Sequence, residues 1–414
     1  MFTNITHRLK RLANLKTLIC IFIFATALFV RIDFVNSVEH HIPHDSLNYD
    51  IMVRQLLEKG VYAYKSEEPN AQVSPGYPLF MAGSYLLADY KNHDPYPLIR
   101  YIQIGFSMVT LWLVYLTGRR LGGQWAGIIA AAILAIYPPF VWANGAILTE
   151  TMAAMLFMLY VYLQLRVFEK ETALSAILAG GVLGLLVLTR PEFLILILPA
   201  YAFYWLWRKR SAHVVKLAAV SCLGIAIVLS PWIVRNMVTM HQFILASTQV
   251  NPFAAGTYPN KNYDDKMVDR EGKTQMEVAK ERLKVGFTEH TWTFVKWYTI
   301  GKTRYIYGKM FFGAGHAPVY PVIPLGNWYH RTILLGGFIS AVALLRRWRQ
   351  PAVLLVILVV AISITRLAFV PEFRYNFTAM PLFIILASLL AATALDYLFG
   401  RRSNKEPLLV GEEL

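Results

Sequence analysis

The residues whose types and positions could do chemistry are Asp33, Asp45, Asp50, Glu150, Arg190, Glu192, Arg235, Arg366, Glu372 and Arg374. They come from separate parts of the chain, yet each stands at the end of an apolar run or in a polar stretch beside one. Ionisable side chains at or near membrane depth are costly to place and usually serve a function. A carboxylate can take the proton of an attacking hydroxyl. Arginine suits a phosphate, because its planar fork bonds two oxygens at once. Acids and arginines gathered at one mouth would form a polar site for an anionic, membrane-borne ligand.

The apolar pattern says which elements must hold these groups. Of 414 residues, 56 % are hydrophobic and 16 % charged, with a mean hydropathy of +0.44. Soluble domains carry about 25 % charged residues. The apolar excess is clustered into runs of about 15–24 residues between short basic stretches, the pattern of membrane spans. This excludes a soluble enzyme, a disordered chain and a disulfide scaffold. Cys20 and Cys222 both lie inside apolar runs, where a thiol behaves as a small hydrophobe. The net charge of +15 is first of all a topology signal, since Lys and Arg collect on cytoplasmic loops.

Spans are expected at about 16–35, 98–118, 124–143, 148–168, 172–189, 193–208, 212–234, 329–346, 350–370 and 376–399. Alternate loops carry the basic residues Arg119-Arg120, Arg166 with Lys170, Arg208-Lys209-Arg210, Arg346-Arg347 with Arg349, and Arg401-Arg402. The expectation is an all-α polytopic membrane protein of about ten spans, with both termini and the 400–414 tail cytoplasmic. Ala25-Thr26-Ala27 resembles a signal cleavage site, but the apolar run continues past it through Val30, which favours an uncleaved first span. Two outward segments remain, 36–97 and 236–328. In the first, Leu79 to Ala88 is too short to cross and reads as a helix at the interface. In the second, Trp292, Trp297, Tyr298, Tyr305 and Tyr307 stand beside Lys296, Lys302, Arg304 and Lys309, which suggests a helix at headgroup level.

The local contexts are more specific than the residue types. The first outer loop reads His44-Asp45-Ser46-Leu47-Asn48-Tyr49-Asp50 and then Ser74-Pro75-Gly76-Tyr77-Pro78. Later come Leu148-Thr149-Glu150-Thr151, Leu188-Thr189-Arg190-Pro191-Glu192, Ser230-Pro231-Trp232-Ile233-Val234-Arg235 and Pro371-Glu372-Phe373-Arg374-Tyr375. Taken in this order they resemble the bacterial glycosyltransferase family 39 proteins of the polytopic GT-C class, which includes protein mannosyltransferases and the lipid A aminoarabinose transferase. The resemblance runs over nearly the whole chain.

It implies one transmembrane GT-C domain over 1–399, with 36–97 as the first outer, catalytic loop. The implied protein sits in a bacterial inner membrane with its site on the periplasmic face. The implied reaction moves a sugar, with inversion, from a polyprenyl-phosphate donor to an extracytoplasmic hydroxyl on a lipid, glycan or protein. Asp45 matches the family's general base. Arg190, Arg235 and Arg374 are the candidates for the donor phosphate, and His44, Tyr49, Asp50, Tyr77, Glu150 and Tyr375 line the site. Two positions depart from many members. Ser46 stands where a second acid is common, so that one acid suffices or Asp50 substitutes. Ser74 stands where a basic residue is common, leaving Lys65 or His44.

Plainer readings stand beside these. Asp45 is also readable as a solvated loop acid, Glu150 as a favourable charge at its own helix start, and Arg235 and Arg374 as side chains snorkelling to headgroups. His40, His41 and His44 could bind a divalent metal or sit in an ordinary solvated loop; no cofactor is otherwise implied. Two rival functions are carried. A ligase or polymerase of lipid-linked polysaccharide would rely on Arg282, His290 or Arg304. A transporter would need polar residues spread through the midplane, whereas here they gather at one face, and no inverted repeat is visible.

Overall fold

The computed structural model describes residues 2–42, 44–208, 211–312 and 326–398, and every regular element among them is helical. Helices long and apolar enough to cross a membrane are Leu15–Ser37, Tyr96–Ile136, Glu150–Lys170, Ala212–Met240, Asn327–Leu345 and Met380–Leu398, with Ala173–Thr189 and Val353–Leu367 as shorter apolar helices. Large apolar side chains such as Phe22, Phe29, Leu223, Ile227 and Phe338 remain exposed on the bundle, the surface expected against lipid tails. Ala173–Thr189 packs along Ser211–Met240, and Met380–Leu398 packs against both Gly326–Leu345 and Tyr96–Ile136.

The element Tyr96–Ile136 is two helices back to back. Gly123 breaks it with φ 82° and ψ 178°, a conformation that costs glycine little and other residues much. A Cβ on Gly118 would lie 3.2 Å from the Cα of Gly127, whereas nine residues along a straight helix are about 13.5 Å apart. The chain therefore doubles back, as the expected spans at 98–118 and 124–143 require. The second of these ends early. Tyr137 precedes Pro138 and is extended, with ψ 113°, because a following proline disfavours the helical conformation. A short helix, Pro138–Trp142, follows. Arg31 reaches this break from the first span, donating to the Ala135 carbonyl at 2.9 Å and to Ser107 Oγ at 2.8 Å. It thereby satisfies a carbonyl left open by the helix end.

Other boundaries shift in the same way. The stretch expected at 193–208 begins as a 3-10 turn, Pro191–Leu196, before the helix Ile197–Arg208. The stretch expected at 350–370 is helical only over Val353–Leu367, and the helix expected to end at 234 runs through Pro231 to Met240.

The two expected outer segments fold as helical caps at one end of the bundle. The first contains His44–Lys59 and Gly76–Leu87. The second contains Asn251–Gly256, Gln275–Thr288, and the run Thr291–Lys296, Trp297–Gly301 and Lys302–Tyr307, interrupted by one π turn. Thr248 N–H donates to the Ala71 carbonyl at 2.8 Å, which joins the two caps. Val370 N–H donates to the Pro252 carbonyl at 2.7 Å, which joins the second cap to the turn before Arg374.

Candidate active site

Asp45, Glu150, Arg190, Arg366 and Arg374 are each delivered by a helix terminus or the turn beside one. Asp45 lies in the first turn of His44–Lys59, and Glu150 opens Glu150–Lys170; acids are favoured at both places by the helix dipole. Pro191 cannot continue the helix Ala173–Thr189, so Arg190 is extended, with φ −145° and ψ 105°. Its side chain thereby leaves the helix line. Arg366 falls in the last turn of Val353–Leu367, and Arg374 in the 3-10 turn Phe373–Asn376.

These termini bring six charges into one chain of contacts. Arg374 Nη1 donates to Asp45 Oδ2 at 2.8 Å, and Arg374 Nε lies 3.8 Å from Glu150 Oε1. Arg190 Nη2 donates to the same Glu150 oxygen at 2.6 Å, and Arg190 Nε to Thr149 Oγ1 at 3.1 Å. Glu192 lies 3.6 Å from Arg190 and 4.0 Å from Arg366. Arg366 donates to the Tyr375 carbonyl and to Thr378 Oγ1. Asp45, Glu150 and Glu192 thus balance Arg374, Arg190 and Arg366. Burial is graded along the row: the Glu150 side chain is 2 % exposed, Arg190 7 %, Arg374 34 % and Asp45 48 %. The row is a buried ionic foundation with one pair open at the mouth.

Electrostatics follow from that geometry. Burial alone would lower the proton affinity of Arg374, but Glu150, Tyr375 and Asp45 around it hold it above its ordinary range. Tyr49 is pushed up by burial, so its phenol stays neutral beside the ion row. Its ring meets Tyr77 at 5.7 Å and Tyr64 at 6.1 Å. Tyr77 is fully buried and donates to Gln103 Oε1 at 3.0 Å, which anchors the Pro-rich turn to the bundle.

The structure therefore brings together Asp45, Glu150, Arg190 and Arg374, with Tyr49 and Tyr375 beside them, and leaves two expected partners elsewhere. Asp50 accepts from Tyr85 at 2.5 Å and from Arg54 Nε at 3.0 Å. Five residues turn a helix by about 500°, which leaves Asp50 about 140° around from Asp45. Arg235 donates to the carbonyls of Asn70 and Tyr62 at 3.1 and 2.9 Å and lies over the rings of Tyr62 and Trp232. It pins the first outer loop to Ser211–Met240 rather than joining the ion row. The side chain of His44 is outside the described residues. His40 Nε2 donates to the Val35 carbonyl at 3.1 Å, and the ring packs on Phe34. Among the described residues no group of three or more His, Cys, Asp or Glu is arranged to hold a metal.

Glu192 and Arg366, which the sequence placed in the same group of charges without an individual role, extend the row. Their signal was an ionisable residue at the end of an apolar run. Arg282, which the ligase reading would use, is fully buried, paired through both terminal nitrogens with Asp265 at 2.8 and 2.6 Å, and stacked on Tyr258.

Residues 72–234 match the family model described as dolichyl-phosphate-mannose-protein mannosyltransferase. That interval includes Glu150 and Arg190 but neither Asp45 nor Arg374. The structure is similar to ArnT from Cupriavidus metallidurans bound to undecaprenyl phosphate, with a TM-score of 0.59 at 13 % identity over 90 % of this chain and 59 % of that one. It is also similar to the archaeal oligosaccharyltransferase AglB from Archaeoglobus fulgidus in complex with an inhibitory peptide and a dolichol-phosphate, with a TM-score of 0.58 at 14 % identity over 92 % of this chain and 51 % of that one. The chain has the GT-C fold. An apo form of the Archaeoglobus fulgidus oligosaccharyltransferase agrees equally well, at a TM-score of 0.60. The chain spans less than two thirds of the length of these GT-C proteins. No curated protein matches it by sequence.

Proposed function

We propose that this protein is an integral-membrane glycosyltransferase that uses a polyprenyl-phosphate-linked sugar and an extracytoplasmic acceptor hydroxyl. The observation that carries the reading is the graded ion row, a half-exposed carboxylate paired with a one-third-exposed arginine and backed by buried charges, at the capped end of a GT-C fold. ArnT and AglB were captured with undecaprenyl phosphate and dolichol-phosphate respectively, which supports a lipid phosphate as the donor's anchor.

In the proposed reaction the acceptor oxygen attacks the anomeric carbon while the bond from that carbon to the phosphate oxygen breaks. The phosphate leaves with the electron pair, and the acceptor proton passes to the Asp45 carboxylate. Attack opposite the leaving group inverts the anomeric centre. Arg374, the arginine of the row at the mouth, stabilises the charge that develops on the leaving phosphate. Arg190 holds Glu150, and Glu150 in turn holds Arg374; both are positioning residues in this scheme. Arg235 acts at a distance by fixing the loop that follows Asp45. The donor's tail would lie between helices, and its headgroup would meet the site from the extracytoplasmic side.

The test is transfer from a radiolabelled polyprenyl-phosphate sugar by the purified, reconstituted chain. Asp45→Asn should lower turnover by about 10²–10⁴-fold, the usual worth of a positioned general base. Undiminished transfer in that variant would remove Asp45 from the role. Absence of both donor binding and transfer in the unaltered protein would remove the transferase reading.

A further inference from the structure

The ion row contains no surplus positive charge. Asp45, Glu150 and Glu192 already neutralise Arg374, Arg190 and Arg366, so an arriving phosphate must either find another cation or displace a carboxylate. The arginines differ sharply in what they would give up. Arg190 is 7 % exposed and holds Glu150, Thr149 and Glu192. Arg366 is 1 % exposed and is spent on Tyr375 and Thr378. Arg235 is committed to two loop carbonyls and to Asn236 Oδ1. Arg374 alone among them has its shortest ion pair with a half-exposed partner, Asp45 at 2.8 Å. Its Nε is buried and faces Glu150 at 3.8 Å, so the terminal nitrogen that holds Asp45 is the end a ligand can reach.

Exposed ion pairs are worth little, whereas breaking a buried one is costly. An anion entering this row therefore meets least resistance at Asp45–Arg374. Phosphate oxygens match the guanidinium fork as well as a carboxylate does.

We infer that the Asp45–Arg374 ion pair is a latch opened by the phosphate of the lipid-linked donor, which takes Arg374 and leaves the Asp45 carboxylate free to face the acceptor. This inference rests on the transferase reading above and adds an order of events to it. Before the donor arrives, the Asp45 carboxylate is occupied by the Arg374 guanidinium, which donates to its Oδ2 at 2.8 Å. After the exchange the carboxylate has lost that partner, and the oxygen it held is free to accept the proton of the acceptor hydroxyl. Base and leaving-group stabiliser are thus separated by the substrate that needs them apart. The free enzyme is not poised to activate an acceptor or water. Donor binding precedes productive acceptor binding.

The experiment measures binding of undecaprenyl phosphate to the detergent-solubilised full chain, with a polyprenol lacking phosphate as the control for the tail. If Asp45 competes for Arg374, Asp45→Asn and Asp45→Ala should each bind the lipid phosphate about threefold or more tightly than the unaltered protein, although both transfer more slowly. The gain should vanish in an Arg374→Ala background, so that Arg374→Ala and the Asp45→Asn/Arg374→Ala double variant bind alike. Unchanged or weaker binding in both Asp45 variants overturns the latch and leaves the transferase reading standing. A gain that persists without Arg374 also overturns it, since the effect is then one of net charge. If the unaltered protein holds undecaprenyl phosphate no better than the polyprenol, the transferase reading itself fails and the latch with it. Two Asp45 variants are used so that loss of folding in one does not decide the outcome.

Discussion

Glu150 and Arg190 are 2.6 Å apart with side chains 2 % and 7 % exposed, so neither charge has water to fall back on. A buried pair of this kind contributes little net stability when whole but is costly to break, because the remaining charge is stranded. Glu150→Gln should therefore destabilise the protein by on the order of 3 kcal/mol, read as a lowered thermal midpoint in detergent. Arg190→Met should do likewise, and the double variant should cost less than the sum of the two, since neither charge is then left alone. Additive losses would mean that the two residues act independently. Asp45 differs from Glu150 in this respect. It is half exposed, so Asp45→Asn should cost chemistry while leaving stability within about 1 kcal/mol of the original.

At the scale of elements, the site depends on how closely the first cap approaches the bundle. A Cβ on Gly76 would lie 2.8 Å from the Leu188 carbonyl oxygen and 2.8 Å from Thr189 Oγ1, immediately before Arg190. That contact seats Gly76–Leu87 against the end of Ala173–Thr189 and fixes where Arg190 emerges. Gly76→Ala should wedge the two apart at a cost of about 1–3 kcal/mol and lower transfer by displacing Arg190 from Glu150. Unaltered midpoint and transfer in this variant would show that the approach can relax freely. The end of Ala173–Thr189 was readable beforehand, since Pro191 dictates the extended Arg190. The break at Tyr137 was not read, although Pro138 dictates it, and that span was expected to run to 143. Nor was the length of Val353–Leu367, because apolar residues continue past the helix end through Val370.

For the molecule as a whole, the second cap is tied to the bundle through a buried lysine. Lys302 is fully buried, donates to the Leu367 carbonyl at 2.6 Å and lies 3.7 Å from the ring centre of Tyr298. Burial lowers its pKa from 10.5 to about 7. Between those values the unfolded chain binds the proton that the folded chain has lost, so stability should rise as pH rises from about 7 toward 10.5. Below about 7 both states are protonated and this dependence ends. Thermal midpoints recorded across that window should climb less steeply for Lys302→Met than for the unaltered protein; parallel curves would show that Lys302 is charged in the fold throughout. Sequence by itself determined the helical membrane class, the two polar caps and the gathering of acids and arginines at one end, because apolar run length, proline and charge act within a few residues of where they stand. It did not reveal that Asp50 and Arg235 are engaged elsewhere, or that Glu192 and Arg366 complete the row. Asp45 and Arg374 are 329 residues apart and Glu150 and Arg190 are 40 apart. Residue type says that a charge needs a partner, but only tertiary packing chooses which one it meets and how much water is left between them.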